Sequence, residues 1–206
     1  MSDTINFLLA GVGGQGTILA SDVLVNVGLA SGYQAKQAEV HGMSQRGGSV
    51  TSFVRWGNVV YSPLVGAGEV DILLAFEKVE ALRNLRQVRP GGLVLVNMEA
   101  IEPLTVTSGG AVYPDDDRLY ASIAQVTDQA AFIKGSELAA QVGNPRTANV
   151  VLLGALSALM ERHPATGPQV PVDTWLSVII ERVPPKYVAL NKRAFAAGRE
   201  AVLHPA

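Results

Sequence analysis

Ile5-Asn6-Phe7-Leu8-Leu9-Ala10-Gly11-Val12-Gly13-Gly14-Gln15-Gly16-Thr17 is the stretch that decides the fold. Residues 5–10 form a short apolar run ending at Gly11, which reads as a buried strand. Beyond the glycines, Ile18, Leu19, Val23, Leu24 and Val27 recur at helical spacing across residues 18–30. Ser31-Gly32 stops that helix, and residues 33–38 read as a second strand. Strand, glycine turn, helix, strand is the opening of a doubly wound α/β sheet.

Gly11, Gly13 and Gly16 satisfy G-x-G-x-x-G in the context that gives the pattern meaning, after a strand and at a helix start. Glycines let the main chain turn tightly, and the helix N-terminus adds roughly half a positive charge. A phosphate or carboxylate is the natural guest. Gly14 and Gln15 keep the turn open, and Thr17 offers a hydroxyl in the first helical turn. A dinucleotide site would also place an acid about 20 residues on, at the end of the second strand. The residues there are Tyr33, Gln34, Ala35, Lys36 and Gln37, and Glu39, the first acid, falls past the expected strand. Lys36 leaves room for a 2′-phosphate, hence for NADP. A tight strand-to-helix turn that binds nothing is the plain alternative.

Outward from this unit, residues 40–48 (VHGMSQRGG) follow neither period and read as a loop. Residues 49–56 and 59–62 flank Gly57-Asn58 and suggest a β-hairpin about that turn. Residues 72–76 are a fully apolar central strand, followed by an amphipathic helix over 77–88. Pro90-Gly91-Gly92 then turns the chain into a strand at 93–97. Short extended pieces are expected at 104–107 and 111–113. Asp115-Asp116-Asp117 reads as a solvated cap for a helix over 118–125 rather than as a metal site. A short helix covers 137–142, and Thr147 is a credible N-cap for an apolar helix to Met160. A helix from Asp173 or Thr174 to Arg182, a break at Val183-Pro184-Pro185 and a helix over 186–202 complete the chain. The expected architecture is one domain over residues 1–206. Its α/β body (1–165) has a mostly parallel Rossmann-like sheet with a β-hairpin insertion, and a helical C-terminal tail (166–206) follows.

Composition narrows the function. The 206 residues are 48% hydrophobic and only 17% charged, with no cysteine and a net charge of −2. Disulfides, zinc–thiolate sites and iron–sulfur ligation by this chain are thereby excluded. The charge balance leaves no electrostatic footprint for nucleic acid. The longest nearly uninterrupted apolar run, 150–160, is far short of the ~20 residues of a membrane-spanning helix. With no secretory pattern at the start, a cytoplasmic location is expected. A positive mean hydropathy of +0.24 points to surface covered by another protein. The apolar helix 147–160 and the tail are expected to drive dimerisation when the chain is alone.

Arg46-Gly47-Gly48-Ser49 is a second candidate anion site, a fixed cation beside adjacent glycines that present amides. A hairpin start with an exposed arginine explains it as well. His41 stands without a second histidine at metal spacing, so no metal site is read. Glu77 ends the 72–76 strand, where ligand clefts of α/β sheets open; a helix-start acid serving the dipole is the alternative reading. No nucleophile–base pair emerges, and no catalytic residue is assigned.

Taken together, Gly11–Thr17 and Glu39-Val40-His41-Gly42-Met43-Ser44-Gln45-Arg46-Gly47-Gly48-Ser49-Val50 resemble the gamma-type subunit of 2-oxoacid:ferredoxin oxidoreductases, in particular the indolepyruvate members. Residues 61–64 (YSPL), 72–77 (ILLAFE), 144–156 (NPRTANVVLLGAL) and 184–198 extend the likeness over nearly the whole chain. The resemblance implies decarboxylation of a 2-oxoacid on thiamine diphosphate, electron exit through [4Fe–4S] clusters to ferredoxin, and acyl transfer to coenzyme A. It places thiamine, Mg and clusters on a large alpha subunit and makes the present chain inert alone. Gly11, Gly13, Gly14, Gln15, Gly16, Thr17, His41, Gln45, Arg46, Gly47, Gly48, Ser49 and Glu77 are then the candidate residues for holding an anionic group such as a coenzyme A phosphate. A stand-alone NADP-dependent reductase and a nucleotide-sensing scaffold without catalysis remain as alternatives.

Overall fold

The first strand, β1 (Thr4–Val12), has Phe7, Leu8, Leu9 and Ala10 buried on both faces. A strand covered on both sides needs a continuous apolar run, as this one is. The structure is a computed structural model describing residues 4–41, 48–163 and 169–204, with only the main chain at His41. After β1 come α1 (Thr17–Ala30), β2 (Gln34–His41), β3 (Ser49–Gly57), β4 (Val70–Ala75), α2 (Lys78–Asn84) and β5 (Val88–Asn97). Then follow α3 (Leu104–Thr107), α4 (Asp116–Ala124), β6 (Ala130–Ile133), α5 (Gly135–Val142), α6 (Ala148–Arg162), α7 (Val172–Arg182) and α8 (Val188–Leu203).

The described residues build a six-stranded sheet in the order β2-β3-β1-β4-β5-β6. Pairs β1–β4, β4–β5 and β5–β6 are parallel, whereas β3 runs antiparallel to both of its neighbours. Side-chain alternation splits the core in two. Phe7, Leu9, Ile72, Leu74, Leu93 and Leu95 face α1 and the C-terminal helices. Leu8, Ala10, Leu73, Ala75, Val94 and Val96 face α2 and α4 on the other side. The doubly wound α/β expectation, with its hairpin and C-terminal helices, holds.

Several local expectations are corrected. The hairpin is β2–β3, one strand earlier than the Gly57-Asn58 turn suggested. Both edges of β3 are already taken, by β1 and β2, so residues 59–62 have no ladder to join. They are held by side chains instead: Gln34 Oε1 accepts from Val60 N, and Lys36 Nζ donates to the Tyr61 carbonyl. Glu39, Val40 and His41 belong to β2 rather than to the loop. Residues 104–107 are a helical turn, not extended, and β6 was not foreseen.

Helix starts also move. Pro145–Thr147 forms a 3-10 turn, so Asn144 becomes the extended residue, and its Oδ1 accepts from Arg146 N. Thr147 merely donates its hydroxyl to the Asn144 carbonyl. Pro171 precedes α7, leaving Asp173 inside the first turn and Thr174 no cap. Asp115 does cap its helix, accepting from Arg118 N at 2.8 Å.

Helix α6 is apolar all round because it is buried all round, from Asn149 to Met160. Its cover is α8 of the same chain: Val150, Val151, Phe195 and Val202 share one core with α1 and α7. That helix therefore offers no free face of its own to a second copy.

Candidate functional site

The chain leaves β1 toward β2 and returns from β3 to β4 on the opposite flank. Where strand order reverses in this way, a crevice opens at the carboxyl ends of the strands. The glycine turn stands there. Gly14 and Gly16 have φ of 106° and 79°, the left-handed region that side chains avoid. Gly16 is the N-cap of α1, with no side-chain cap and no acid in the first turn. Orphan amides and the positive end of the helix dipole thus meet at the turn.

Gln15 folds inward and locks the turn. Its Oε1 accepts from Val12 N at 2.8 Å, and its Nε2 donates to the Phe76 carbonyl at 2.9 Å and to Glu99 Oε2 at 3.3 Å. Asn97, buried at the end of β5, donates to the same Phe76 carbonyl and accepts from Gly135 N. Ser136 Oγ donates to Glu99 Oε2 at 2.6 Å. The ends of β1, β4, β5 and the start of α5 are stitched into one polar floor.

The turn has two open faces. One borders a hollow of about 270 Å³ with Val12, Gly13, Thr17, Ile18 and Val50. Gly13 N donates to the Gly48 carbonyl at 3.0 Å, so the downstream stem of the 42–47 segment touches the turn. Thr17 is 3% exposed, and its hydroxyl has no partner among the described residues. The other face borders a crevice of about 420 Å³ that reaches across Phe76 and Asn97 to Arg146 and Asn149.

The sequence candidates distribute as follows. Gly11, Gly13, Gly14, Gln15, Gly16 and Thr17 are together at the turn, and Gly48 joins them. His41 and Gly11 both pair with Val50, so the His41 main chain is level with the turn, one strand beyond β3. Gln45, Arg46 and Gly47 lie outside the described residues. Ser49 Oγ donates to Glu80 Oε2 at 2.6 Å, and Arg83 pairs with the other oxygen of that buried carboxylate. Glu77 is 1% exposed and spent internally: it accepts from Glu80 N, Ile101 N and the Tyr113 hydroxyl. Burial first, then the hydrogen bond and charge of Glu77, push the Tyr113 phenol above its ordinary range.

Sequence reading missed Asn97, Glu99, Ser136, Arg146 and Asn149. Asn97 ends a parallel strand with Glu99 just beyond it, and Arg146 and Asn149 flank the start of α6 within the NPRTAN string; polar residues at those two places were the available signal. Lys36, the proposed 2′-phosphate partner, pairs across β3 with the level of Asn6, at the far end of β1. Five residues of strand, about 16 Å, separate that level from Gly11. The NADP reading loses its support.

Thiolate-held clusters do not fit this chain. It has no cysteine, and among the described residues no group of three or more His, Asp or Glu is placed to hold a metal. Among them, no helix is long and apolar enough to cross a membrane.

Fold and crevice together define a doubly wound α/β protein built around a glycine turn at an uncapped helix N-terminus. The profile of the family described as pyruvate ferredoxin/flavodoxin oxidoreductase matches residues 6–201, and the chain belongs to that family. It is 40% identical over 197 residues to indolepyruvate oxidoreductase subunit IorB of Thermococcus kodakarensis, covering 95% of each chain. The same subunit of Pyrococcus horikoshii is 39% identical with the same coverage. Among solved structures, the gamma subunit of keto/oxoacid ferredoxin oxidoreductase from Geobacter sulfurreducens superposes with a TM-score of 0.70 at 25% identity, covering 97% and 98% of the two chains. A 2-oxoglutarate:ferredoxin oxidoreductase from Magnetococcus marinus, with 2-oxoglutarate, coenzyme A and succinyl-CoA bound, shares the fold. Its TM-score is 0.74 at 20% identity, over all of this chain and 32% of that one. The present protein is a subunit of a 2-oxoacid:ferredoxin oxidoreductase.

Proposed function

We propose that this chain is the thiamine-free, cluster-free subunit of a cytoplasmic enzyme that converts indolepyruvate or a related aryl pyruvate to its acyl-CoA. A large alpha subunit supplies thiamine diphosphate, Mg and [4Fe–4S] clusters and passes electrons to ferredoxin. The relatives named as indolepyruvate oxidoreductase subunits support this substrate class. The present chain completes the active site and is inert alone.

One observation carries the division of labour: a chain without a single cysteine presents a turn of uncapped amides and a buried Thr17 hydroxyl that has no partner among the described residues. Such a site binds charge rather than transferring electrons. On the face beside Gly13, Thr17 and Gly48 it receives a coenzyme A phosphate, with Arg46 as the fixed cation. Calorimetry of coenzyme A on the assembled complex tests this. Arg46→Ala should weaken binding by about tenfold, the worth of one charge-assisted contact. Unchanged affinity would leave these loops as mere walls of the partner's site. Reduction of a dye by the purified chain alone, with indolepyruvate and coenzyme A, would overturn the reading entirely.

A further inference from the structure

We infer that Glu80, a buried carboxylate of α2, is a positioning residue for the glycine turn. Through Ser49 it holds the Gly48 carbonyl where Gly13 N meets it, and so fixes the first peptide of the turn. It touches no ligand itself. Its value to the reaction rests on the preceding reading, in which the turn receives coenzyme A.

The start of α2 directs this carboxylate away from its own helix. Glu77 is the N-cap, and its side chain accepts from Glu80 N at 2.9 Å. A glutamate at that third helical position ordinarily reaches back to the amide of the cap. Glu80 turns toward β3 instead: its Oε2 accepts from Ser49 Oγ, and its Oε1 pairs with Arg83. The carboxylate is 1% exposed, whereas the Arg83 side chain is 48% exposed. An ion pair with a half-exposed arginine could form at the surface. Burying the acid is costly unless each oxygen is hydrogen-bonded, and an apolar residue would fill the space at less cost. What burial achieves is reach to Ser49.

From Ser49 the constraint passes to the turn in three steps. Ser49 opens β3 and pairs with Val12, the last residue of β1, so it stands on the final rung of that ladder. A short charge-assisted bond of 2.6 Å at that rung fixes the main chain just before it. There the Gly48 carbonyl accepts from Gly13 N at 3.0 Å. Gly13 N and the Val12 carbonyl belong to one planar peptide, so orienting the first orients the second. The Val12 carbonyl in turn accepts from Gln15 N at 3.1 Å, which closes the turn. Glu80, Ser49, Gly48, the 12–13 peptide and Gln15 thus form one relay from the far helix to the turn.

Amide exchange at Gly13 and Gln15, followed by NMR on the full chain, tests the relay. Glu80→Gln should speed both about tenfold, the loss of one charge-assisted contact. Ser49→Ala should do the same and Ser49→Thr should restore the parent rates; this pair keeps the test open should Glu80→Gln fail to fold. Ala196→Gly, a destabilisation on exposed α8, should leave both amides at the parent rate, which separates positioning from a general loss of stability. In the assembled enzyme, Glu80→Gln should raise KM for coenzyme A about tenfold, with kcat and KM for the 2-oxoacid within about twofold of the parent. A purely structural role would lower kcat through lost enzyme and leave KM alone. Parent exchange rates at Gly13 and Gln15 in Glu80→Gln and Ser49→Ala overturn the proposal. So does an unchanged KM in Glu80→Gln where Arg46→Ala raises it. If neither variant moves KM, the coenzyme A reading fails, and the exchange rates alone decide the positioning.

Discussion

Replacing Gly198 by alanine should separate the two helices that close the core. A Cβ on Gly198 would lie 1.8 Å from the Val151 carbonyl oxygen and 2.9 Å from Ala155 N. Reciprocally, a Cβ on Gly154 would lie 2.0 Å from the Phe195 carbonyl oxygen. Backbone faces backbone, so no side chain can rotate away. Restoring a carbon–oxygen contact of about 3.3 Å requires α8 to retreat by about 1.5 Å. A gap of that size forfeits much of the dispersion between α6 and α8. Overpacking at the top of its usual range costs about 3 kcal/mol. Alanine's better helix propensity offsets about 1 kcal/mol. The net loss of about 2 kcal/mol corresponds to a Tm lowered by roughly 4–8 °C for a chain of this size. Thermal unfolding followed by circular dichroism reads it directly. Ala196→Gly, exposed on the same helix, is the comparison: propensity alone predicts a loss of about 1 kcal/mol. Gly154→Ala combined with Gly198→Ala should be less than additive, because the first retreat relieves the second clash. A Gly198→Ala protein as stable as the parent would refute the close helix contact.

Tyr113→Phe removes the phenol donor to Glu77 and should cost about 1–2 kcal/mol near neutrality, measured by urea unfolding. It also changes the pH profile. The folded phenol titrates above its ordinary value of 10.0, so above about pH 10 the unfolded chain releases a proton that the folded chain keeps, and stability falls as pH rises. The phenylalanine variant should lose part of that alkaline slope; identical slopes would contradict the burial of the phenol. Asn97→Ala strands the Gly135 amide and takes one of two donors from the Phe76 carbonyl, for about 2 kcal/mol. Faster hydrogen exchange at Gly135 should accompany it, and unchanged protection would argue against the stitched floor. Ser49→Ala takes a donor from buried Glu80 and should cost about 1.5 kcal/mol, with Ser49→Thr largely restoring it; a neutral alanine variant would show that the stem of β3 is anchored elsewhere.

What the sequence made legible follows from how each element is stabilised. Continuous apolar runs such as 72–76 have only one stable environment, the middle of a covered sheet, so their reading was secure. The glycine turn was equally plain, because positive φ at Gly14 and Gly16 leaves a residue-level mark. The partner of β3 was not legible. Gly57-Asn58 is a sound turn signal, but pairing depends on which sheet edges are free, and distant β1 had already occupied one of them. Strand β6, four residues long and mostly half-buried, is too brief to display a period. Thr147 and Asp173 were displaced as caps by Pro145 and Pro171, which shift the helix start by fixing the backbone just ahead of it. At the site, Arg146 and Asn149 stand far along the chain from the turn that they face. Only the fold brings them to it.

The antiparallel β3 explains why the familiar dinucleotide pattern fails here. In the usual doubly wound unit the strand after the first helix lies beside β1, and its final acid reaches the ribose. Here β3 is interposed, and the end of β2 is displaced by one further strand, to about 9.6 Å from β1. Val50, running the other way, occupies the level where that acid would stand. The turn keeps its amides and dipole, but its hydroxyl acceptor cannot come from the β2 side. A carboxylate near the turn belongs instead to Glu99, just beyond β5 on the opposite flank, and it is linked to the turn through Gln15. Inserting one reversed strand thus leaves the carboxylate linked to the turn on the β5 flank. It also sets Gly48 against the turn, where Gly13 N donates to its carbonyl.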